Sequence, residues 1–122
     1  LDLTKSNFTG ATLFATKFQN AVLVDGNFTG CKGSGTRFNG AGLTRANFTN
    51  VDFLDDIYGG AVFIDANLTA STFTNATIVQ SDLSGANLSG ANLTGAKLPV
   101  QNMMAKYCKT IMPDGTVNNS GC

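Results

Sequence analysis

The chain has 122 residues, enough for one domain, and its eight Lys and Arg balance eight Asp to a net charge of zero. Charged residues make up 13%, about half the roughly 25% of an ordinary globular domain, so there is no electrostatic case for nucleic acid or an anionic membrane as partner. His, Trp and Glu are absent, which removes imidazole catalysis, most zinc chemistry and Glu-based acid/base work.

Gly (14), Thr (15), Asn (13) and Ala (13) replace the missing charge, yet nine Phe and eleven Leu are too many for a disordered tract. The bias is periodic. From Leu3, every fifth residue to Leu98 is large and apolar, 17 of 20 being Leu or Phe, with Gly33 alone lacking a side chain. Two residues before each lies a second column, Ala at ten of 20 positions. On a helix at ~100° per residue, a five-residue step would scatter these centres over every side. On one long strand, alternation would put every second centre on the wrong face. What remains is a short extended piece and a turn, repeated, with the large residue and the small one before it pointing to a common interior. Four repeats close a square, so one coil takes 20 residues and stacked coils satisfy each other's backbone.

That closure predicts vertical columns. Asn7, Asn27, Asn47, Asn67 and Asn87 fall in one, Thr9, Thr29, Thr49, Thr69 and Ser89 in another, and Lys5, Asp25, Arg45 and Asp65 alternate in sign along a third. Coils ~4.8 Å apart would make these charges cross-strand neighbours. The register is expected to run from residue 1 to 98 without an insertion. The run SGANLSGANLTGAKL (84–98) resembles the A-[DN]-L-x-x signature of pentapeptide-repeat proteins. The resemblance implies that this all-β solenoid is a right-handed quadrilateral β-helix; its coils number about five over 1–98, and a short α-helical cap is expected within 99–122.

Two places break the pattern. Gly33 leaves a gap that Cys31 and Val51 fill by volume compensation, or that holds a small guest. Within DDIYGG (55–60), Asp56 takes an inward position, either capping turn amides where the coil bulges at Gly59–Gly60 or joining Asp55 in a small cation site. Asn-x-Ser/Thr recurs, at Asn7, Asn27, Asn47 and beyond, but the repeat itself writes that motif, so it carries no glycosylation signal.

At Pro99 the repeat stops. Residues 100–108 read as a short helix entered after Pro99, with Met103, Met104 and Tyr107 covering the last coil. Leu1 begins in register with no visible cap, so that end is a candidate for self-association or for a cover that has been trimmed away. Cys31 lies in the interior column as an inert small hydrophobe. Cys108 and Cys122 flank a tail with little core of its own, and a disulfide between them would close it and imply an oxidising compartment. The tail, with Met112-Pro113-Asp114-Gly115 and Asn119-Ser120-Gly121-Cys122, resembles the C-terminal segment of pentapeptide-repeat proteins from plant thylakoid lumens and cyanobacteria. That resemblance implies a lumenal protein imported with a cleaved presequence (or one of a cyanobacterial lumen or periplasm). No apolar run approaches the roughly 18 residues of a membrane span.

Among outward positions, Val22, Val24, Val62 and Ile64 are expected on one face, with Gly42 and Thr44 between, as a partner or dimer surface; β-propensity is the alternative. Phe14 and Leu54 belong to another face. No catalytic, metal or cofactor-binding residue stands out, and three readings follow. A non-catalytic interaction scaffold with a protein partner leads. Family members that imitate DNA to bind topoisomerases offer a second, but Lys and Arg are interspersed with Asp here. Ice binding by the regular Asn/Thr face is the third.

Overall fold

The computed structural model describes residues 1–54, 59–99 and 104–122. Each five-residue step is an extended pair and a tight turn. In the first, Ser6 N–H donates to the Leu3 carbonyl at 3.0 Å, and Lys5, the third residue of the turn, has φ 62°. Positive φ at that position alone is the type II requirement, and it recurs at Gly10, Ala15, Asn20 and Asp25. Gly, Asn and Asp hold most of these corners because they tolerate left-handed backbone at least cost.

Neighbouring coils join by parallel ladder bonds, such as Leu3 N–H to the Val22 carbonyl at 2.7 Å and Val22 N–H to the Leu1 carbonyl at 2.9 Å. The bonds run in four files, which define four faces. The first face stacks Asp2, Val22, Gly42, Asn67 and Asn87; the second Asn7, Asn27, Asn47, Thr72 and Asn92. The third stacks Thr12, Lys32, Asp52, Thr77 and Lys97; the fourth Lys17, Arg37, Val62 and Asp82. The chain is a β-solenoid.

The expected uninterrupted 20-residue coil is corrected at one point. Partners lie 20 apart up to Lys32 and Asp52, then 25 apart from Arg37 and Val62 to Asp52 and Thr77, and 20 apart again from Val62 and Asp82. Five extra residues are therefore inserted between Asp52 and Val62, at the corner joining the third and fourth faces. An insertion as long as the repeat leaves the five-residue register of the sequence untouched, so periodicity cannot reveal it. Asn7, Asn27 and Asn47 stand in vertical file as expected, but Thr72 and Asn92 continue that file while Asn67 and Asn87 move to the first face. Likewise Arg45 N–H donates to the Thr69 carbonyl, so Asp65 does not follow Arg45 in its column.

The interior is filled by the large column. Phe8, Phe28, Phe48 and Phe73 stack behind the second face with ring centroids 5.1, 4.8 and 4.7 Å apart and planes within 12°. Phe18, Phe38 and Phe63 form a parallel stack at 5.4 and 4.9 Å. The stacks meet edge to face, as Phe38 and Phe48 do at 5.6 Å and 88°. Both arrangements suit the ring quadrupole. Leu23, Leu43, Leu68 and Leu88 fill the space behind the first face and are buried.

The helical cap is corrected over its described part. Residues 104–108 are not helical, Met104 is 69% exposed rather than core, and Tyr107 is half-buried against the core; Met103 lies outside the described residues. Instead the chain lays one more run of strand over the column. Its carbonyls accept from the last coil's amides, Leu88 N–H to Lys106 and Leu93 N–H to Ile111, at 2.9 and 2.8 Å. A helix would have offered those amides no acceptors. Ala105 and Tyr107, then Thr110 and Met112, repeat the small–large pair at the five-residue step, one residue out of register with 1–98. Strands β1 (Thr110–Ile111) and β2 (Val117–Asn118) then form an antiparallel hairpin.

Cys108 and Cys122 are disulfide-bonded, with Cα atoms 4.8 Å apart. Gly121 N–H donates to the Tyr107 carbonyl, so the bond holds the tail against the final strand run. Cys108→Ser should lower unfolding free energy by ~3 kcal/mol on the loop-entropy model. Urea midpoints of the variant and of the oxidised and reduced wild type measure this, the reduced protein matching the variant.

Candidate functional site

The surface is built from one local device. Asn27 Oδ1 accepts from the Thr29 N–H at 3.0 Å and the Thr29 hydroxyl at 2.7 Å. Asn7 with Thr9, Asn47 with Thr49, Asn67 with Thr69 and Asn92 with Thr94 repeat the pair of bonds. This Asx turn satisfies an amide that the extended-then-turn geometry would otherwise leave to water. The apparent glycosylation motifs are thus the repeat's own turn chemistry.

Asp replaces Asn in the same role. Thr4, Ser84 and Thr116 donate to Asp2, Asp82 and Asp114 and hold these carboxyls below the usual carboxylate range. Arg45 bonds Asp25 through Nε at 2.7 Å and Nη2 at 3.0 Å, and lowers the Asp25 pKa by hydrogen bonding first and charge second. A carboxyl with a depressed folded pKa contributes stability above its unfolded pKa, and loses that contribution as pH falls through the folded value. With no His to titrate near neutrality, thermal stability should be flat between about pH 5 and 8 and fall below about pH 4. A melting profile in that range tests this; a step near pH 6.5 would contradict it.

Inside the column, the gap at Gly33 is occupied. A Cβ there would lie 2.8 Å from Thr36 Oγ1 and 2.9 Å from Leu13 Cβ. Thr36 is buried, with its hydroxyl in hydrogen-bonding reach of the Gly33 and Leu13 carbonyls. The large side chain missing at Gly33 is therefore offset by Thr36, which turns inward, as well as by its column neighbours. Cys31 is buried, its Sγ 2.8 Å from the Phe8 carbonyl oxygen, and burial pushes its thiol pKa up. Such a thiol is a packing group rather than a nucleophile.

Asp55 and Asp56, the candidate cation pair, lie outside the described residues. Among the described residues, no three His, Cys, Asp or Glu side chains come together in a way that could hold a metal ion. The four apolar residues expected on one face are separated by the insertion. Val22 and Val24 remain on the first face beside Gly42, whereas Val62 follows Arg37 on the fourth, with Ile64 beside it. Phe14 and Leu54 are both exposed on the third face, on the coils either side of Ser34, which is buried. Charge on the fourth face, Lys17 and Arg37 below and Asp82 above, could not be read from the sequence, because the faces cannot be assigned without locating the insertion.

The family model for pentapeptide repeats matches in eight copies, over residues 1–30, 11–50 and 61–98. The internal stretch it leaves out, 51–60, includes most of the insertion; 99–122 also lie outside the match. No curated protein matches the sequence. Among solved structures, a pentapeptide repeat protein from the Arabidopsis thaliana thylakoid lumen is similar at 33% identity and TM-score 0.64, over 83% of this chain and 69% of that one. A pentapeptide repeat protein of the cyanobacterium Cyanothece is similar at 22% identity and TM-score 0.62, over 81% of this chain and 62% of that one. QnrB1, a plasmid-mediated fluoroquinolone resistance protein, is similar at 18% identity and TM-score 0.60, over 88% of this chain and 53% of that one. The last two likenesses are of fold alone, and this chain spans less than two thirds of either protein.

Proposed function

The chain belongs to the pentapeptide-repeat family, and on that premise we propose that it is a non-catalytic protein-interaction scaffold of the thylakoid lumen, a right-handed quadrilateral β-helix of about five coils. The observation that carries the reading is how the polar groups are used. Asn and Asp side chains along the faces are taken up in turns with the hydroxyl or amide two residues on, while the interior is packed with Phe, Leu and Ala. A rigid column with its functional groups engaged in its own turns offers flat faces to a partner and, among the described residues, no acid–base or nucleophile constellation for chemistry.

The lumenal assignment draws support from the Arabidopsis lumen protein's 33% identity and from the Cys108–Cys122 bond, which persists in oxidising compartments. A topoisomerase-binding role fits less well. The faces carry Lys and Arg beside Asp, as Lys32 stacked against Asp52 shows, where a DNA-like surface needs sustained negative potential.

The oxidised protein, immobilised and exposed to thylakoid lumen extract, should retain discrete proteins that a heat-unfolded control does not. Retention no different from that control would overturn the scaffold reading. In a gyrase supercoiling assay the protein should leave activity and quinolone sensitivity unchanged, and protection would favour the DNA-like role instead.

A further inference from the structure

The four faces differ in how they carry charge. The second face has none on its Asn and Thr files. On the third, Lys32, Asp52 and Lys97 alternate along the file; at the edge of the first, Arg45 is paired with Asp25. The fourth alone segregates its charges. Lys17 and Arg37 are directly stacked on its two lower levels, Val62 and Ile64 form the third with Asp65 at the corner beyond them, and Asp82 lies on the fourth.

Two cations directly opposed on adjacent strands repel one another. Lys17 and Arg37 are exposed, and among the described residues the only ion pair is that of Arg45 with Asp25. The column therefore tolerates an unrelieved repulsion at one end of this face and unpaired carboxylates at the other. The separation is vertical: three ladder steps of ~4.8 Å place Lys17 and Asp82 roughly 14 Å apart, beyond the Debye length at physiological salt.

A face that is basic on its two lower levels and carries its carboxylates on its two upper ones is complementary to itself when inverted. We propose that the fourth face is a docking surface for a second copy of this chain, the two columns antiparallel about a two-fold axis passing between the levels of Arg37 and Val62. That operation maps the first level onto the fourth and the second onto the third. Lys17 of each copy then meets Asp82 of the other, and Arg37 meets the level that carries Val62, Ile64 and Asp65. Such an interface is isologous, as closed dimers require. Four levels make a face only ~20 Å tall, too small for the ~1,200–2,000 Å² of a stable complex. The dimer is accordingly weak, fast and salt-sensitive. The inference rests on the scaffold reading only in treating the faces as contact surfaces; a monomer would leave lumenal capture to stand or fall separately.

The test is sedimentation equilibrium of the oxidised protein at about 20 mM and about 500 mM salt, where screening shortens from beyond ~20 Å to ~4 Å. The expected result is concentration-dependent dimer at low salt, weakened at high salt. Two variants keep the backbone devices intact. K17E/R37E reverses the basic end; D65N/D82N neutralises the acidic end while keeping an amide oxygen in the Asp82 turn. Each should weaken self-association at least about tenfold, with circular dichroism unchanged. Mixed, they should associate more strongly than either alone, because the intact cations of one meet the intact carboxylates of the other. A wild type monomeric throughout, a dimer indifferent to both variants, or a mixture no stronger than its components would each overturn the proposal.

Discussion

Replacing Phe48 with Ala should remove about 3–5 kcal/mol of unfolding free energy, the largest loss expected from any single side chain. Phe48 is fully buried between Phe28 at 4.8 Å and Phe73 at 4.7 Å, with its edge against Phe38 and Phe63 at 5.6 and 5.5 Å. Truncation loses the transfer energy of the ring and leaves a void that both stacks border. Ladder bonds on either side hold the coils at their spacing, so the column has little freedom to collapse into it. Phe8 is the internal comparison. It has one stacked neighbour, Phe28, and is only partly buried, so Phe8→Ala should cost markedly less. Urea denaturation measures both; equal losses, or a Phe48→Ala loss under about 1 kcal/mol, would show that the stacks do not carry the core's stability.

Gly60→Ala should be the most damaging of the glycine substitutions, at about 2–3 kcal/mol. Gly60 is where the chain returns from the insertion. It is buried, and its carbonyl accepts from Gly35 N–H at 3.1 Å. A Cβ there would sit 2.6 Å from the Gln80 carbonyl oxygen and closer still to the Gln80 carbonyl carbon and the Ser81 nitrogen. These are backbone atoms of the coil above, where the Ser81 N–H is held in its own turn by the Ile78 carbonyl at 3.0 Å, so they cannot swing aside as a side chain would. Two other glycines separate the causes. Gly59 has φ +71° with nothing within 4 Å of an added Cβ, so Gly59→Ala should show only the left-handed penalty of ~1 kcal/mol. Gly42 has open space and no positive φ, so Gly42→Ala should be close to neutral. Thermal or urea midpoints ranking these three differently would contradict the packing account.

The insertion explains why the surface was harder to read than the core. Inward or outward direction depends only on position within a five-residue step, and Phe28, Leu43 and Phe63 are buried as their register requires. The face a residue occupies depends on how many steps precede it in its coil. One extra step between Asp52 and Val62 moves every later outward residue on by one face, as Val62 and Asn67 illustrate. The final strand run escapes the five-residue register for a related reason. Ala105, Tyr107, Thr110 and Met112 keep the small–large alternation but sit one residue out of phase, and the Pro before them suggested a helix start. Only the bonds from Leu88 and Leu93 amides show that the last coil needed a strand's acceptors.

By itself the sequence determined the solenoid, its filled axis and its turn chemistry, because each follows from contacts within a few residues repeated many times. The tertiary structure decided which columns run vertically, which charges become neighbours, and how the upper end is closed. Those depend on pairing across 19, 20 or 25 residues, and local physics is indifferent to which of these spacings a coil adopts as long as each amide finds a carbonyl and each large side chain finds the axis.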